Sequence, residues 1–128
     1  MNIILLIGRI IFGGHFVLMG INHFRKSNML TGYASAKGIP MARLAVIVSG
    51  LFLLFGGLGI VFGVSVKIAL LLIIVFLILA SFLVHSFWKE SDSGSRASEM
   101  QGFLKNIALL GATVMLYALF ANDWLYTL

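Results

Sequence analysis

Four apolar stretches occupy most of this chain, and each is long enough to cross a lipid bilayer. They are residues 3–21, 44–64, 68–87 and 103–120. About 20 helical residues are needed to span the hydrocarbon core. A span surrounded by lipid must also satisfy its own backbone hydrogen bonds, which favours helices. The sequence therefore predicts an all-α fold, an integral membrane four-helix bundle formed by a single domain over residues 1–128.

The composition is consistent with a protein that is almost entirely membrane-embedded. Of its 128 residues, 61% are hydrophobic and 10% are charged, so a separate soluble domain is not expected. The chain contains no cysteine, which excludes disulfides, thiolate metal sites, iron–sulfur clusters and covalent haem attachment through Cys. The net charge of +5 does not indicate nucleic-acid binding, because the basic residues lie beside the ends of the spans.

The positions of the basic residues predict the orientation of the chain. One side of the membrane carries seven of them: Arg25, Lys26, Lys37, Arg43, Lys89, Arg96 and Lys105. The connection between spans 2 and 3, on the other side, carries only Lys67. Cytoplasmic loops are enriched in Lys and Arg. We therefore expect both termini to lie outside the cytoplasm and the two longer loops to lie inside it.

A reporter fused after Leu128 tests this orientation. We expect it to behave as periplasmic, because the basic loops hold the opposite side of the bundle in the cytoplasm. The same reporter inserted at Gly94, between spans 3 and 4, is the control and should behave as cytoplasmic. A cytoplasmic signal at Leu128 would contradict the orientation.

The two longer loops differ in their predicted structure. Ser27 is a candidate helix N-cap, a mildly amphipathic run follows, and Gly38 and Pro40 are stop signals. This pattern predicts a short interfacial helix between spans 1 and 2. Residues 90–98 are rich in serine and charge, which predicts a solvated, flexible loop between spans 3 and 4.

Spans 2 and 3 differ in their small residues. Span 2 contains five glycines, at Gly50, Gly56, Gly57, Gly59 and Gly63. Small residues let helix backbones approach closely in a membrane, so this pattern favours helix packing, with a ligand channel as the alternative. Span 3 is almost entirely Leu, Ile, Val and Phe as far as Ser81, and we expect it to be the most lipid-exposed helix.

Span 1 contains polar residues on two faces. Arg9, Gly13, Phe16, Gly20 and His23 lie on one stripe, and Gly8, His15 and Asn22 lie on a second. Polar groups within a membrane usually face the bundle interior or a cavity, so both faces predict a neighbour. We expect Arg9 to hydrogen-bond Tyr117 or a water, or to extend toward Asp123. The alternative is that its side chain snorkels, extending along the helix to the outer surface of the membrane.

A second polar group is expected at the cytoplasmic ends of the spans. Counting along the helices places five residues at a similar depth: His23, His85, Trp88, Lys105 and Asn106. His85 and Trp88, three residues apart, are expected to share a face of span 3. Such a cluster could bind a polar head group, pass protons or hold a quinone carbonyl. The alternative is that His23, Trp88 and Lys105 only anchor the helices at the membrane interface.

The sequence contains no recognisable catalytic motif. It has no G-x-S-x-G, H-E-x-x-H or Walker A sequence and no paired carboxylates. The histidines lack metal-ligand spacing and an intramembrane carboxylate to join them, so no metal site is expected. Self-contained hydrolytic chemistry is therefore not predicted, and neither is a covalent cofactor.

Several segments together resemble the DoxX family of small bacterial and archaeal membrane proteins. They are the sequence GINHF at residues 20–24, GYASAKGIP at 32–40, SGL at 49–51, HSFW at 85–88 and FLKNIALLG at 103–111. HSFW is similar to the family's H-x-F-W element, and FLKNIALLG is similar to its F-x-K-N-x-A-L-x-G element. The resemblance implies a four-helix bundle in the plasma membrane of a bacterium or archaeon.

The resemblance implies function only loosely. The family is named after a subunit associated with thiosulfate:quinone oxidoreductase, which favours a non-catalytic accessory or docking subunit of a membrane redox complex. The alternative is a carrier that binds a small molecule, quinone or lipid in the cytoplasmic-side pocket. Expected partners are the lipid bilayer, a membrane or soluble redox protein, and a further copy of the chain. Many members carry a Glu in span 2 where this chain has Leu53, which weakens proton-coupled quinone chemistry by this protein alone.

Overall fold

The computed structural model describes residues 3–120, and all of its regular elements are helical. The α-helices are α1 (Ile3–Arg25), α2 (Ser27–Ala36), α3 (Ala42–Phe62), α4 (Val66–Leu79) and α5 (Ser93–Phe120). A π-helical segment, Ala80–Val84, extends α4, and a short 3₁₀ turn, Phe87–Lys89, follows it. The all-α prediction is confirmed.

Four segments are long and apolar enough to cross a membrane: Ile3–Arg25, Ala42–Phe62, Val66–Lys89 and Ser93–Leu119. The prediction of four spans is therefore confirmed, with shifted ends. Span 1 continues about one turn beyond its predicted end. Span 4 begins ten residues before its predicted start at Phe103, because α5 begins at Ser93.

The connection between α1 and α3 contains the predicted short helix. Its cap position is Lys26 rather than Ser27, and no side chain bonds the first-turn amides. The stop signals act as expected. Gly38 has φ +80°, in the left-handed region that favours glycine, and the chain then turns at Pro40 toward α3.

The second loop is not an irregular segment as the sequence predicted. From Ser93 onward the chain is helical, so most of the segment 90–98 forms the first turns of α5. Asp92 explains this start, because its Oδ2 accepts a hydrogen bond of 2.9 Å from the backbone N–H of Ser95, as an N-cap does. Residues 91–98 are exposed, so the prediction of a solvated segment is correct.

Glycines bring α3 close to both of its neighbours. A Cβ added at Gly57 would lie 2.6 Å from the Gly13 carbonyl oxygen, and one at Gly20 would lie 2.9 Å from that of Gly50. On the other side of α3, a Cβ at Gly56 would lie 2.8 Å from the Ile73 side chain. These contacts confirm that the glycines of span 2 pack helices together.

The core lies between α3 and α4 and against one face of α1. Its fully buried members include Phe16, Leu53, Ile60, Leu70 and Ile73. The expectation that span 3 is the most lipid-exposed was wrong, because α4 contributes several of these buried side chains. The span in α5 has the smallest buried share of the four.

Arg9 lies inside the bundle and stabilises the end of α3. The residue is 1% exposed, and its guanidinium donates to the carbonyl oxygens of Ile60 at 3.1 Å and Val61 at 3.0 Å. The last carbonyls of a helix lack intrahelical partners and carry partial negative charge, so a cation there is favourable. The alternative that the Arg9 side chain snorkels to the outer surface is therefore wrong. Tyr117 is not among its described hydrogen-bond partners, and Asp123 lies outside the described residues.

The two faces predicted on α1 have different environments. Arg9, Gly13, Phe16 and Gly20 are its buried residues, which confirms the first stripe. On the second stripe Gly8 and His15 are exposed and Asn22 is half-buried. Among the described residues, this second face is therefore open at Gly8 and His15 and partly covered at Asn22.

Candidate functional site

The most concentrated group of polar contacts joins α2 to the beginning of α5. Glu99 is 8% exposed and accepts hydrogen bonds from the Tyr33 hydroxyl, with distances of 2.6 and 2.7 Å to its two carboxylate oxygens. The Lys37 ammonium lies 2.5 Å from Glu99 and 2.6 Å from Glu90. We call Tyr33, Lys37, Glu90 and Glu99 the Glu99 cluster. Lys37 is a cation beside both carboxylates, so each buried or half-buried carboxylate has an opposite charge next to it, and the cluster as a whole keeps one negative charge.

The protonation of Tyr33 and Lys37 follows from these contacts. Burial and the hydrogen bond to Glu99 raise the pKa of Tyr33 to about 12. Burial acts to lower the pKa of Lys37, but its hydrogen bonds to Glu90 and Glu99 outweigh burial and raise that pKa. At neutral pH Tyr33 is therefore a neutral donor and Lys37 is a cation. The favourable contribution of neutral Tyr33 to stability should be lost only as the pH rises above about 10.

His85 lies at the edge of the Glu99 cluster. Its Nδ1 is 3.6 Å from Glu99 Oε1, and a Cβ added at Gly102 would lie 2.6 Å from the same nitrogen. The ring thus rests against the backbone of α5. The π-helical segment contributes to this position, because the His85 N–H bonds the Ala80 carbonyl, five residues back, at 3.0 Å. Such widened turns re-aim side chains and are frequent at functional sites.

Asn106 lies one turn after Gly102 on α5, so both residues are on one face of the helix. It is 2% exposed, and its Oδ1 has no hydrogen-bond partner within the described structure. No hydrogen bond between Asn106 and His85 is among the described contacts. Glu99 is the residue beside His85 Nδ1 instead. Lys105, the neighbour of Asn106, has an exposed side chain.

Trp88 lies in a group of aromatic side chains, and none of its described contacts is with His85. The chain leaves the helix at His85, so the two residues do not share a helical face as the sequence predicted. The Trp88 ring lies 5.2 Å from that of Phe87 and 5.6 Å from that of Phe103. At 44% exposure, and close to the end of a span, Trp88 fits the alternative of an interface anchor.

The structure gives His23 different neighbours from those of His85. Its Nδ1 lies 2.9 Å from the Met19 carbonyl oxygen one turn back, and its ring packs against Phe76 of α4 at 5.9 Å. A Cβ at Gly50 would lie 2.8 Å from His23 Cβ. His23 therefore takes part in the packing of α1 against α3 and α4, and none of its described contacts is with His85 or Asn106.

A polar cleft of about 630 Å³ opens beside the Glu99 cluster. The cleft is lined by residues from α2, the start of α5 and the stretch between the 3₁₀ turn and α5: Tyr33, Lys37, Glu90, Asp92, Gly94, Ser95, Ser98 and Glu99. Its hydroxyls and carboxylates can hydrogen-bond a polar ligand or a partner surface. The site thus combines a polar cleft with His85 and Asn106 at the adjoining ends of the spans.

A comparison with family models identifies the chain. A model described as DoxX matches residues 4–86, which is more than half of the protein. The chain belongs to the DoxX family. No curated protein and no solved structure matches it significantly. It is accordingly a DoxX membrane protein with four apolar helices, and the matched region ends just after His85.

The part of this DoxX protein that contains Glu99 and Asn106 lies outside the matched region. Sequence reasoning missed Glu99, because it directly follows residues 90–98, which were predicted to form a flexible loop. The spacing of Glu99 from other polar residues of α5 could have indicated that it is buried. Glu99, Asn106 and Thr113 follow one another at intervals of seven, and all three are buried. Leu53, at the position where many family members carry a Glu, is fully buried in the core.

Proposed function

We propose that this DoxX protein is a non-catalytic membrane subunit that binds a small amphipathic molecule at His85 and serves a membrane redox complex. Quinone is the ligand class that the family resemblance implies. The observation that carries the proposal is a pair of buried atoms without a hydrogen-bond partner, His85 Nδ1 and Asn106 Oδ1; His85 lies beside the Glu99 cluster. Buried polar atoms are nearly always hydrogen-bonded, so a bound molecule or water would complete the site.

The placement of the polar groups supports binding at the end of the membrane-spanning region. The helix of span 3 ends just before His85, whose ring rests on Gly102 of span 4, and Asn106 lies one turn further along that helix. A molecule with an apolar tail and a polar head could place its head there and its tail among the exposed apolar side chains, such as Phe82 and Leu83. This arrangement fits a quinone or another amphipathic molecule.

The adjoining polar cleft supports a docking role. It is lined by hydroxyl and charged side chains of α2, of the start of α5 and of the short stretch just before α5. Interfaces of transient partners are polar at their rims, so a soluble or membrane redox protein could bind over the cleft and reach the head of a molecule bound at His85.

Purification from membranes in mild detergent, followed by native mass spectrometry, tests the proposal. We expect the wild-type protein to retain a redox partner and a bound quinone, and His85→Ala to lose both without losing membrane insertion. His15→Ala is the matched control, because His15 is an exposed histidine on α1. A bound quinone or lipid without any partner would favour a carrier. A change in protein level alone would make the cluster structural.

A further inference from the structure

Three exposed cations lie where α1, α2 and α3 come together. Arg25 is the last residue of α1, Lys26 occupies the cap position of α2, and Arg43 lies in the first turn of α3. Arg43 Nη2 donates a hydrogen bond of 2.9 Å to Asn28 Oδ1, which joins the start of α3 to the start of α2. We call Arg25, Lys26, Asn28 and Arg43 the basic corner. Because its cations lie at helix ends, the fold holds their backbones in fixed relative positions.

No acid of the described structure neutralises the basic corner. None of its three cations forms an ion pair within residues 3–120. The acids of this part of the chain line the polar cleft near the other end of α2, where Lys37 caps that helix. The segment from Asn28 to Lys37 is about 14 Å long at 1.5 Å per residue. Salt screens exposed charges beyond about 8 Å, so the positive charge of the corner remains available to a partner.

The basic corner combines this charge with exposed apolar side chains at the ends of two spans. α1 and α3 are long and apolar enough to cross a membrane, and the corner contains the end of one and the start of the other. Phe24, Met29 and Leu44 are each next to a member of the corner in the sequence, and all three are exposed. Basic side chains just outside a span attract anionic lipids, whose acyl chains could contact these apolar residues. A soluble anion would leave them uncovered.

We propose that the basic corner binds the phosphate group of an anionic phospholipid. A guanidinium has five donors in a planar fork that matches phosphate, and Arg43 uses only part of this set on Asn28. Arg25 and Lys26 add two further positive charges from the end of α1 and the cap of α2. None of the described contacts of the corner is with His85 or the Glu99 cluster, so this site is separate from the proposed function and does not depend on it.

Lipid titration of the purified protein, followed by native mass spectrometry in mild detergent, tests the proposal. The probes are dioleoyl phosphatidylglycerol and dioleoyl phosphatidylcholine, which share their acyl chains and differ in net charge. Each basic residue near an anionic surface strengthens binding about five-fold. Three of them predict a preference for phosphatidylglycerol of roughly 100-fold, which should fall as ionic strength rises. Equal binding of the two lipids to the wild-type protein would overturn the proposal.

Two matched sets of substitutions separate the basic corner from the net charge of the protein. Replacing its three cations by glutamine should abolish the preference for phosphatidylglycerol. The control set removes three exposed cations elsewhere and should keep the preference. It consists of Lys67→Gln, Lys89→Gln and Arg96→Gln. Both ends of the spans are accessible in detergent, so the orientation of a variant in the membrane does not affect the comparison.

The single substitution Arg43→Gln tests the same site with less risk to folding, which size-exclusion profiles check for every variant. We expect it to reduce the preference about five-fold. An equal loss of preference in the two triple variants would show attraction by net charge alone and overturn the proposal. Displacement of phosphatidylglycerol by glycerol phosphate or by hexaglutamate at similar concentrations would show that the corner serves a soluble anion, and would also overturn it.

Discussion

Replacing Glu99 by alanine is expected to destabilise the protein more than the loss of any other acidic side chain among the described residues. The substitution removes the acceptor of the Tyr33 hydroxyl and one of two carboxylates that contact Lys37. Breaking a buried ion pair costs about 3–5 kcal/mol. Since Lys37 keeps Glu90 and is partly exposed, we expect a loss of about 2–3 kcal/mol in the free energy of unfolding. Thermal unfolding in detergent measures it.

Glu90→Ala is the control for this prediction. Both carboxylates contact Lys37, but the Glu90 side chain is 28% exposed and that of Glu99 is 11% exposed. A more exposed pair contributes about 0–1 kcal/mol, so the control should have a much smaller effect. Hydrogen exchange should also rise in α2 in the Glu99 variant, because the contacts of Tyr33 and Lys37 tie that helix to α5. Equal effects of the two substitutions would contradict the central role of Glu99.

The membrane spans could be predicted because the property that makes a segment cross a bilayer, a long apolar run, can be read from the sequence of that segment alone. A long apolar run must become a helix, and glycine spacing indicates where two helices approach. The buried face of α1 follows from the same geometry, since Arg9, Gly13, Phe16 and Gly20 share one side of a helix with the usual period. These predictions need only the sequence of one helix at a time, and they were correct.

The candidate site could be predicted only in part, because it depends on contacts distant in sequence. Tyr33 and Lys37 meet Glu99 more than sixty residues later, and no local pattern indicates which basic residue pairs with which acid. The end of span 3 was misjudged for a related reason. An apolar run predicts a continuous helix, whereas the chain forms a π-helical segment and leaves the helix at His85. The contact of His85 with Glu99 was therefore not predicted, and the helical face expected to join His85 and Trp88 does not form.

Replacing Gly57 by alanine is the second substitution from which we expect a large effect, at the contact between α1 and α3. The new Cβ would lie 2.6 Å from the Gly13 carbonyl oxygen and 2.7 Å from the Val17 amide nitrogen. Both atoms belong to the backbone, so the clash cannot be relieved by turning a side chain, and the two helices must separate. Overpacking of this kind costs about 1–3 kcal/mol. The midpoint of thermal unfolding in detergent should fall accordingly.

Gly14→Ala is the matched control for Gly57→Ala, because nothing lies within 4 Å of a Cβ at Gly14. Both substitutions gain the same helix propensity, about 1 kcal/mol over glycine, so the difference between them isolates the packing of α1 against α3. We expect Gly14→Ala to leave the unfolding midpoint unchanged or raise it. If the two variants unfold at the same temperature, the backbone contact at Gly57 does not hold the helices together, and the close approach of α1 and α3 must depend on Arg9 and the ends of α3.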